Sequence, residues 1–138
     1  MPRTPAVLAW LRLARVFQKV DQASAEHLRT WNLSVAQFDV LAQVGAAEGR
    51  TQQELADALL VTKGNVCQLL NRMEGDELIQ RVAEGRTNRL YLTPKGRRLF
   101  AAVVPAQEAL IARQFAALTT EEQACLHGLL RKMDRSLD

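Results

Sequence analysis

Six times along its length this chain sets a Ser or Thr where a helix can begin, and no other feature restricts its fold as much. Thr4 precedes Pro5 and Thr93 precedes Pro94: a side-chain oxygen to cap the first free amides, then a proline at the first helical position, where a missing N–H costs nothing. Ser34 with Gln37, Thr51 with Glu54 and Thr119 with Glu122 have the spacing of a capping box, in which the cap and the third helical residue satisfy each other's backbone amides. Thr62 stands before the remaining run as its cap. Behind each start, apolar residues recur at three- and four-residue spacing. Trp10, Leu13, Phe17 and Val20 carry the first helix to about Arg29. The second ends near Ala46, bracketed by Gly45 and Gly49, with Leu33 placed to staple onto Phe38. Leu55, Ala56 and Leu59 mark a short third helix, and Val66, Leu69, Leu70 and Met73 the inner face of a fourth, reached by a tight connection at Leu60 and Val61. Leu99, Phe100, Val103, Leu110 and Ile111 run to about Ala117, and Cys125, Leu126, Leu129, Leu130 and Met133 line the last. Pro105 lies inside the fifth helix, where it predicts a kink rather than a break.

Only residues 79–92 break the helical pattern. Ile79–Val82 and Arg89–Leu92 read as short strands, and the six residues between them have turn composition, so a hairpin is expected. The order of elements predicts a mainly α fold with a small β-hairpin wing (α+β): a winged helix-turn-helix over 34–93, flanked by long helices over 4–30 and 94–138, all within one domain spanning 1–138. At 138 residues the chain has room for one core and not two.

Several classes of function drop out. No apolar run approaches the ~18 residues of a membrane span, and Arg12, Arg15 and Lys19 interrupt the N-terminal stretch where a secretory signal needs an unbroken apolar block. A cytoplasmic protein without a membrane partner is expected. Cys67 and Cys125 have neither disulfide-framework nor metal-ligand spacing, and both read as buried, inert thiols. His27 and His127 are isolated, no nucleophile–base pair is visible and no Gly-rich loop follows a strand, so neither an enzyme nor a cofactor is expected. Trp31, Phe38 and His27 surround the second helix and offer either the lining of a ligand pocket or, as aromatic residues at helical spacing more often do, part of the core.

A formal charge of +3 decides nothing by itself, but its distribution does. Between Gly85 and Arg98 there are five basic residues and no acidic one, a stretch suited to phosphate. Opposite the inner face of the fourth helix, Asn65, Gln68 and Arg72 form one stripe, with Thr62 and Lys63 at its head and Gly64 allowing close approach to a duplex. Asn and Gln offer adenine two hydrogen bonds; Lys and Arg suit guanine or phosphate. Thr51 and Gln52 open a helix whose backbone amides suit a phosphate. Arg81 and Arg89, one on each strand, either meet phosphates or stay solvated.

The block 51–96, TQQELADALL followed by TKGNVCQLLNRMEGDELI, the hairpin and LYLTPKG, resembles the MarR family of regulators. The resemblance covers nearly the whole chain. It implies an obligate homodimer with interleaved terminal helices, a recognition helix from each subunit in the major groove of a pseudo-palindromic duplex, and repression of a promoter. It also implies release by a small aromatic or phenolic effector, or by cysteine oxidation, although no residue here assigns a ligand. Glu84-Gly85-Arg86 stands where the family has an acidic residue that orients a minor-groove arginine, which makes Arg86 the wing-tip contact; a narrow minor groove concentrates negative potential. Two departures stand out. The wing is shorter than the family's usual form and lacks one of its paired arginines, which implies a shallower contact. Glu77 occupies the place of a helix-ending glycine, and Gly75 is the substitute for that turn. A winged-helix module that binds another protein through the same basic face is the alternative.

Overall fold

The computed structural model describes residues 1–60 and 65–138, arranged as α1 (Pro5–Arg29), α2 (Val35–Ala46), α3 (Gln52–Ala58), α4 (Val66–Gly75), β1 (Ile79–Glu84), β2 (Thr87–Leu92), α5 (Pro94–Gln114) and α6 (Thr120–Ser136). The architecture is mainly α with one two-stranded antiparallel hairpin. All three capping boxes form, and Thr4 and Thr93 cap the proline-started helices. The fourth helix starts at Val66 with Asn65 at its cap position and no side-chain cap bond. Thr62, the cap expected from the sequence, and Val61 lie outside the described residues. α5 runs unbroken through Pro105 and stops at Gln114, three residues short of the expected end. Gln123 Nε2 donates to the carbonyls of Phe115 and Leu118, both at 3.1 Å, and so holds the turn into α6.

Caps decide where helices begin; burial decides that they stay. Leu28, Val40, Leu41, Val44, Leu55, Leu70, Met73, Leu90 and Val103 are completely buried. At about 1.5–3 kcal/mol for each large apolar side chain, this core outweighs the ~1 kcal/mol of a cap. Every buried core residue lies between Leu28 and Val103. The N-terminal half of α1 and all of α6 bury nothing in the core, and Val7, Leu8, Trp10, Phe17, Leu129, Leu130 and Met133 face outward.

α1 and α4 end alike. After α1, Leu33 N–H donates to Leu28 O and Asn32 N–H to Arg29 O, each at 3.0 Å; after α4, Leu78 N–H donates to Met73 O and Glu77 N–H to Glu74 O, again at 3.0 Å. This double bond pattern needs a left-handed residue at one position, filled by Asn32 (φ 58°) and Glu77 (φ 60°). Gly75, expected to take over that turn, stays inside α4, because the motif places its left-handed residue two positions later. Asparagine tolerates this conformation and glutamate does not, at a cost of about 1–2 kcal/mol. Glu77→Gly is therefore expected to stabilise the protein by about 0.5–1 kcal/mol after the greater freedom of glycine in the unfolded chain is subtracted, readable as a higher urea midpoint.

The hairpin is tighter than its composition suggests. Its strands extend to Glu84 and Thr87, which pair directly, leaving a loop of only Gly85 and Arg86. Gly85 has φ 61°, the positive value that a glycine-first two-residue turn requires. Thr87 Oγ1 closes the turn by donating to Glu84 O at 3.0 Å. On its other edge β2 meets the segment before α3: Gly49 N–H donates to Leu90 O at 2.8 Å and Leu90 N–H to Arg50 O at 2.9 Å.

Candidate nucleic-acid interface

α3 and α4 form the helix pair, and the hairpin stands beside α4. Of the residues expected to meet DNA, Asn65, Gln68 and Arg72 are all exposed on α4 and its cap, opposite the buried Leu70 and Met73. The side chains of Gln68 and Arg72 make no hydrogen bond or ion pair with any other described residue. Thr62, Lys63 and Gly64 lie outside the described residues. At the start of α3, Thr51 is committed to its capping box, its amide donating to Glu54 Oε1 at 3.2 Å and its hydroxyl accepting from Glu54 N at 3.1 Å. That arrangement holds the Glu54 carboxyl below its ordinary value, mainly through the Thr51 amide and then the hydroxyl. Gln52 turns its side chain toward α4 and donates to Cys67 Sγ at 3.2 Å.

The arginines divide into two kinds. Arg81 is bound inside the lobe: its Nη2 donates to Asn71 Oδ1 at 2.5 Å and pairs with Glu74 Oε1 at 2.8 Å, tying β1 to α4. Arg89 Nη1 donates to Gly49 O at 2.7 Å, while its Nε pairs with Glu84 at 2.6 Å. The Glu84 carboxylate thus orients Arg89 and not Arg86, contrary to the role expected from the acidic-x-Arg pattern. The tight turn explains this, since two residues along the strand from Thr87 the Arg89 side chain comes back alongside Glu84. Arg86 at the loop is exposed and has no hydrogen bond or ion pair among the described residues.

Sequence reading missed Asn71, Glu74 and Glu48. Glu48 Oε1 accepts from Leu92 N at 2.8 Å and from Arg97 Nη2 at 3.2 Å. No local pattern signals such pairs, which join residues on different elements. The Leu92 amide first, then Arg97, holds the Glu48 carboxyl below its ordinary value against the opposing effect of burial. The Arg81 guanidinium does the same to Glu74 and is itself pushed up. Because the folded state lowers these carboxyls, it binds protons less readily than the unfolded chain. The stability they contribute is complete above the ordinary value of 4.5 and is lost as pH falls through their lowered folded values. Urea midpoints measured from pH 7 down to pH 3 are expected to fall below pH 4.5, and Glu74→Gln to lower the neutral midpoint while flattening that fall.

Both thiols are exposed, not buried as expected. Cys67 sits on the outer side of α4, and Cys125 lies on α6, which packs into no core within one chain. Phe38 lines a cavity of about 180 Å³ between α1, α2 and α5. His27 Nδ1 lies 2.8 Å from Gln107 Oε1, linking α1 to α5. Trp31 packs against the core from the α1–α2 turn.

A family model described as the MarR family matches residues 31–89. An uncharacterised HTH-type transcriptional regulator of Bacillus cereus (strain ZK / E33L) is 36% identical over 129 residues, covering 93% of this chain and 88% of its own. The crystal structure of an S. aureus MepR–DNA complex superimposes with a TM-score of 0.83 at 25% identity, over 99% of this chain and 100% of that one. The organohalide-sensing regulator RdhR, in its 2,4-dichlorophenol-bound form, has the same fold, with a TM-score of 0.84 at 22% identity over 97% of this chain and 82% of that one. With the winged helix-turn-helix, the outward polar stripe of α4 and these likenesses together, the chain belongs to the MarR family of transcriptional regulators.

Proposed function

We propose that the protein is a cytoplasmic homodimer that grips a pseudo-palindromic duplex through both α4 helices and represses a promoter by occupying it. The observation that carries this reading is the division among the polar groups of the lobe. Gln68, Arg72 and the wing-tip Arg86 are exposed and unengaged among the described residues, whereas Arg81 and Arg89 are bound internally and hold the surface in shape. In this reading Gln68 and Asn65 meet base edges, Arg72, Lys63, Thr62 and the amide of Gln52 meet the backbone, Thr51 caps the helix that presents that amide, Gly64 permits close approach, and Arg86 enters the minor groove. The MepR–DNA complex supports the use of this fold on a duplex.

The uncovered apolar faces of α1 and α6 support the dimer, because patches of this kind on a small protein mark an interface. Two copies then place two half-sites about one helical turn apart. Release by a small aromatic or phenolic effector has a place to act in the cavity beside Phe38, and RdhR is a relative in fold whose bound form holds 2,4-dichlorophenol. Exposed Cys67 on α4 offers oxidation as a second route to release.

A salt titration against a panel of duplexes tests the reading. Tight binding of one palindrome is expected, with a log–log salt slope of about −0.9 for each phosphate neutralised. Gln68→Ala should relax preference at one base pair by ~1–3 kcal/mol, while Arg86→Ala should weaken binding, most for duplexes with a narrow minor groove under the wing. A folded dimer that binds no duplex at low salt would shift the assignment to a protein-binding winged helix.

A further inference from the structure

The cavity and the helix pair share one side chain. Phe17 and Ser24 of α1, Phe38 and Asp39 of α2 and Gln107 of α5 line the space, and Leu60, itself largely exposed, borders it on the helix-turn-helix side. Asp39 is only 4% exposed. Its Oδ2 accepts from the backbone amide of Leu60 at 2.7 Å, across 21 residues of chain. Leu60 follows α3, and the α4 cap position comes five residues later, so this bond fixes one end of the link that carries the recognition helix. A hydrogen bond to a buried carboxylate is among the stronger kinds. The space, about 180 Å³ and open to solvent beside Phe17 and Leu60, is of the order of the volume of one aromatic ring, ~150 Å³.

We propose that Asp39 is the positioning residue through which the state of the cavity reaches the recognition helix. While the cavity is empty, Asp39 holds Leu60 and α4 stays set for DNA. A ring pressed between Phe38 and Gln107 displaces the carboxylate, frees the Leu60 amide and lowers DNA affinity. The proposal rests on the DNA-binding reading above and adds to it the coupling residue.

The test needs no identified effector, because Ser24→Phe supplies the ring from the cavity wall, where Ser24 is 6% exposed. Affinity for the preferred duplex is measured by fluorescence anisotropy on the full chain, and exchange of the Leu60 amide by NMR, with gel filtration and circular dichroism to confirm folded dimers. Asp39→Ala is expected to bind at least about ten-fold more weakly and to exchange the Leu60 amide about ten-fold faster, the exchange reporting the loss of the bond to Leu60. Asp39→Asn keeps an acceptor oxygen without the charge and should fall between that variant and the unaltered protein, about three-fold from the latter on both readouts. Ser24→Phe should reproduce the Asp39→Ala losses, and the double variant should be no weaker than Asp39→Ala alone. Unaltered affinity in a folded Asp39→Ala dimer, or additive losses in the double variant, would overturn the coupling and leave DNA binding standing. If the unaltered chain binds no duplex, the DNA-binding reading falls and the coupling falls with it.

Discussion

Gly96→Ala is expected to lower stability by about 2 kcal/mol and the Tm by roughly 8 °C, although alanine is the better helix former. A Cβ built on Gly96 lies 2.1 Å from the carbonyl oxygen of Leu78 and 3.1 Å from its carbonyl carbon. Both atoms are backbone, so no side-chain rotation relieves the contact. The same carbonyl accepts from Thr93 N at 3.1 Å, which fixes it further. Gain of helix propensity is worth about 1 kcal/mol and the forced shift typically costs 1–3, so the clash prevails where the neighbour cannot move. Calorimetry on the single variant decides it. A Tm equal to or above that of the unaltered chain would mean that the first turn of α5 does not press on the end of the α4 turn as the structure has it.

If the protein is the homodimer proposed above, Leu129→Glu combined with Met133→Glu is expected to turn it into monomers, raising the dissociation constant by more than about 100-fold. The two residues lie one turn apart on α6 with 61% and 48% of their surfaces exposed, alongside Leu130. Trp10 and Phe17 on α1 are equally open, at 60% and 63%. In the proposed dimer a second copy covers this face, and two carboxylates buried there unpaired are costly. Loss of the dimer also removes the advantage of two linked half-sites, so affinity for a palindrome should fall far more than for a single half-site. Sedimentation velocity reads the first effect and anisotropy on full and half duplexes the second. A double variant that remains dimeric would place the interface elsewhere.

The helix starts were legible because a cap and its partner lie three residues apart, so the whole device sits inside one short window. Ser34 with Gln37 and Thr119 with Glu122 each declare a boundary without help from the rest of the chain. The wing was legible as a hairpin but not in its extent: Ala83–Asn88 looks like a loop by composition, yet one glycine at positive φ lets Glu84 and Thr87 pair. The roles of Arg81 and Arg89 were left open between phosphate and solvent, and the structure gives a third answer that depends on Asn71, Glu74 and Gly49 arriving from other elements. Thiol exposure failed for a related reason. Periodicity marks Cys125 as part of an apolar face, but whether such a face is covered depends on a surface that the single chain does not contain. Glu77 was recognised as misplaced from the resemblance alone, and its left-handed backbone accounts for the discomfort.

Arg89 has a consequence for what the lobe can measure. It fastens the hairpin to Gly49, while Arg81 fastens it to α4, so the wing is braced from two sides and its loop is only two residues long. Two such braces oppose a swing of the hairpin. The distance from the tip of the wing to the exposed stripe of α4 is then a fixed length, and a duplex is tested against it as an object is tested against a gauge. Operators that carry the right bases at the wrong separation between their major-groove and minor-groove features would be refused on spacing alone.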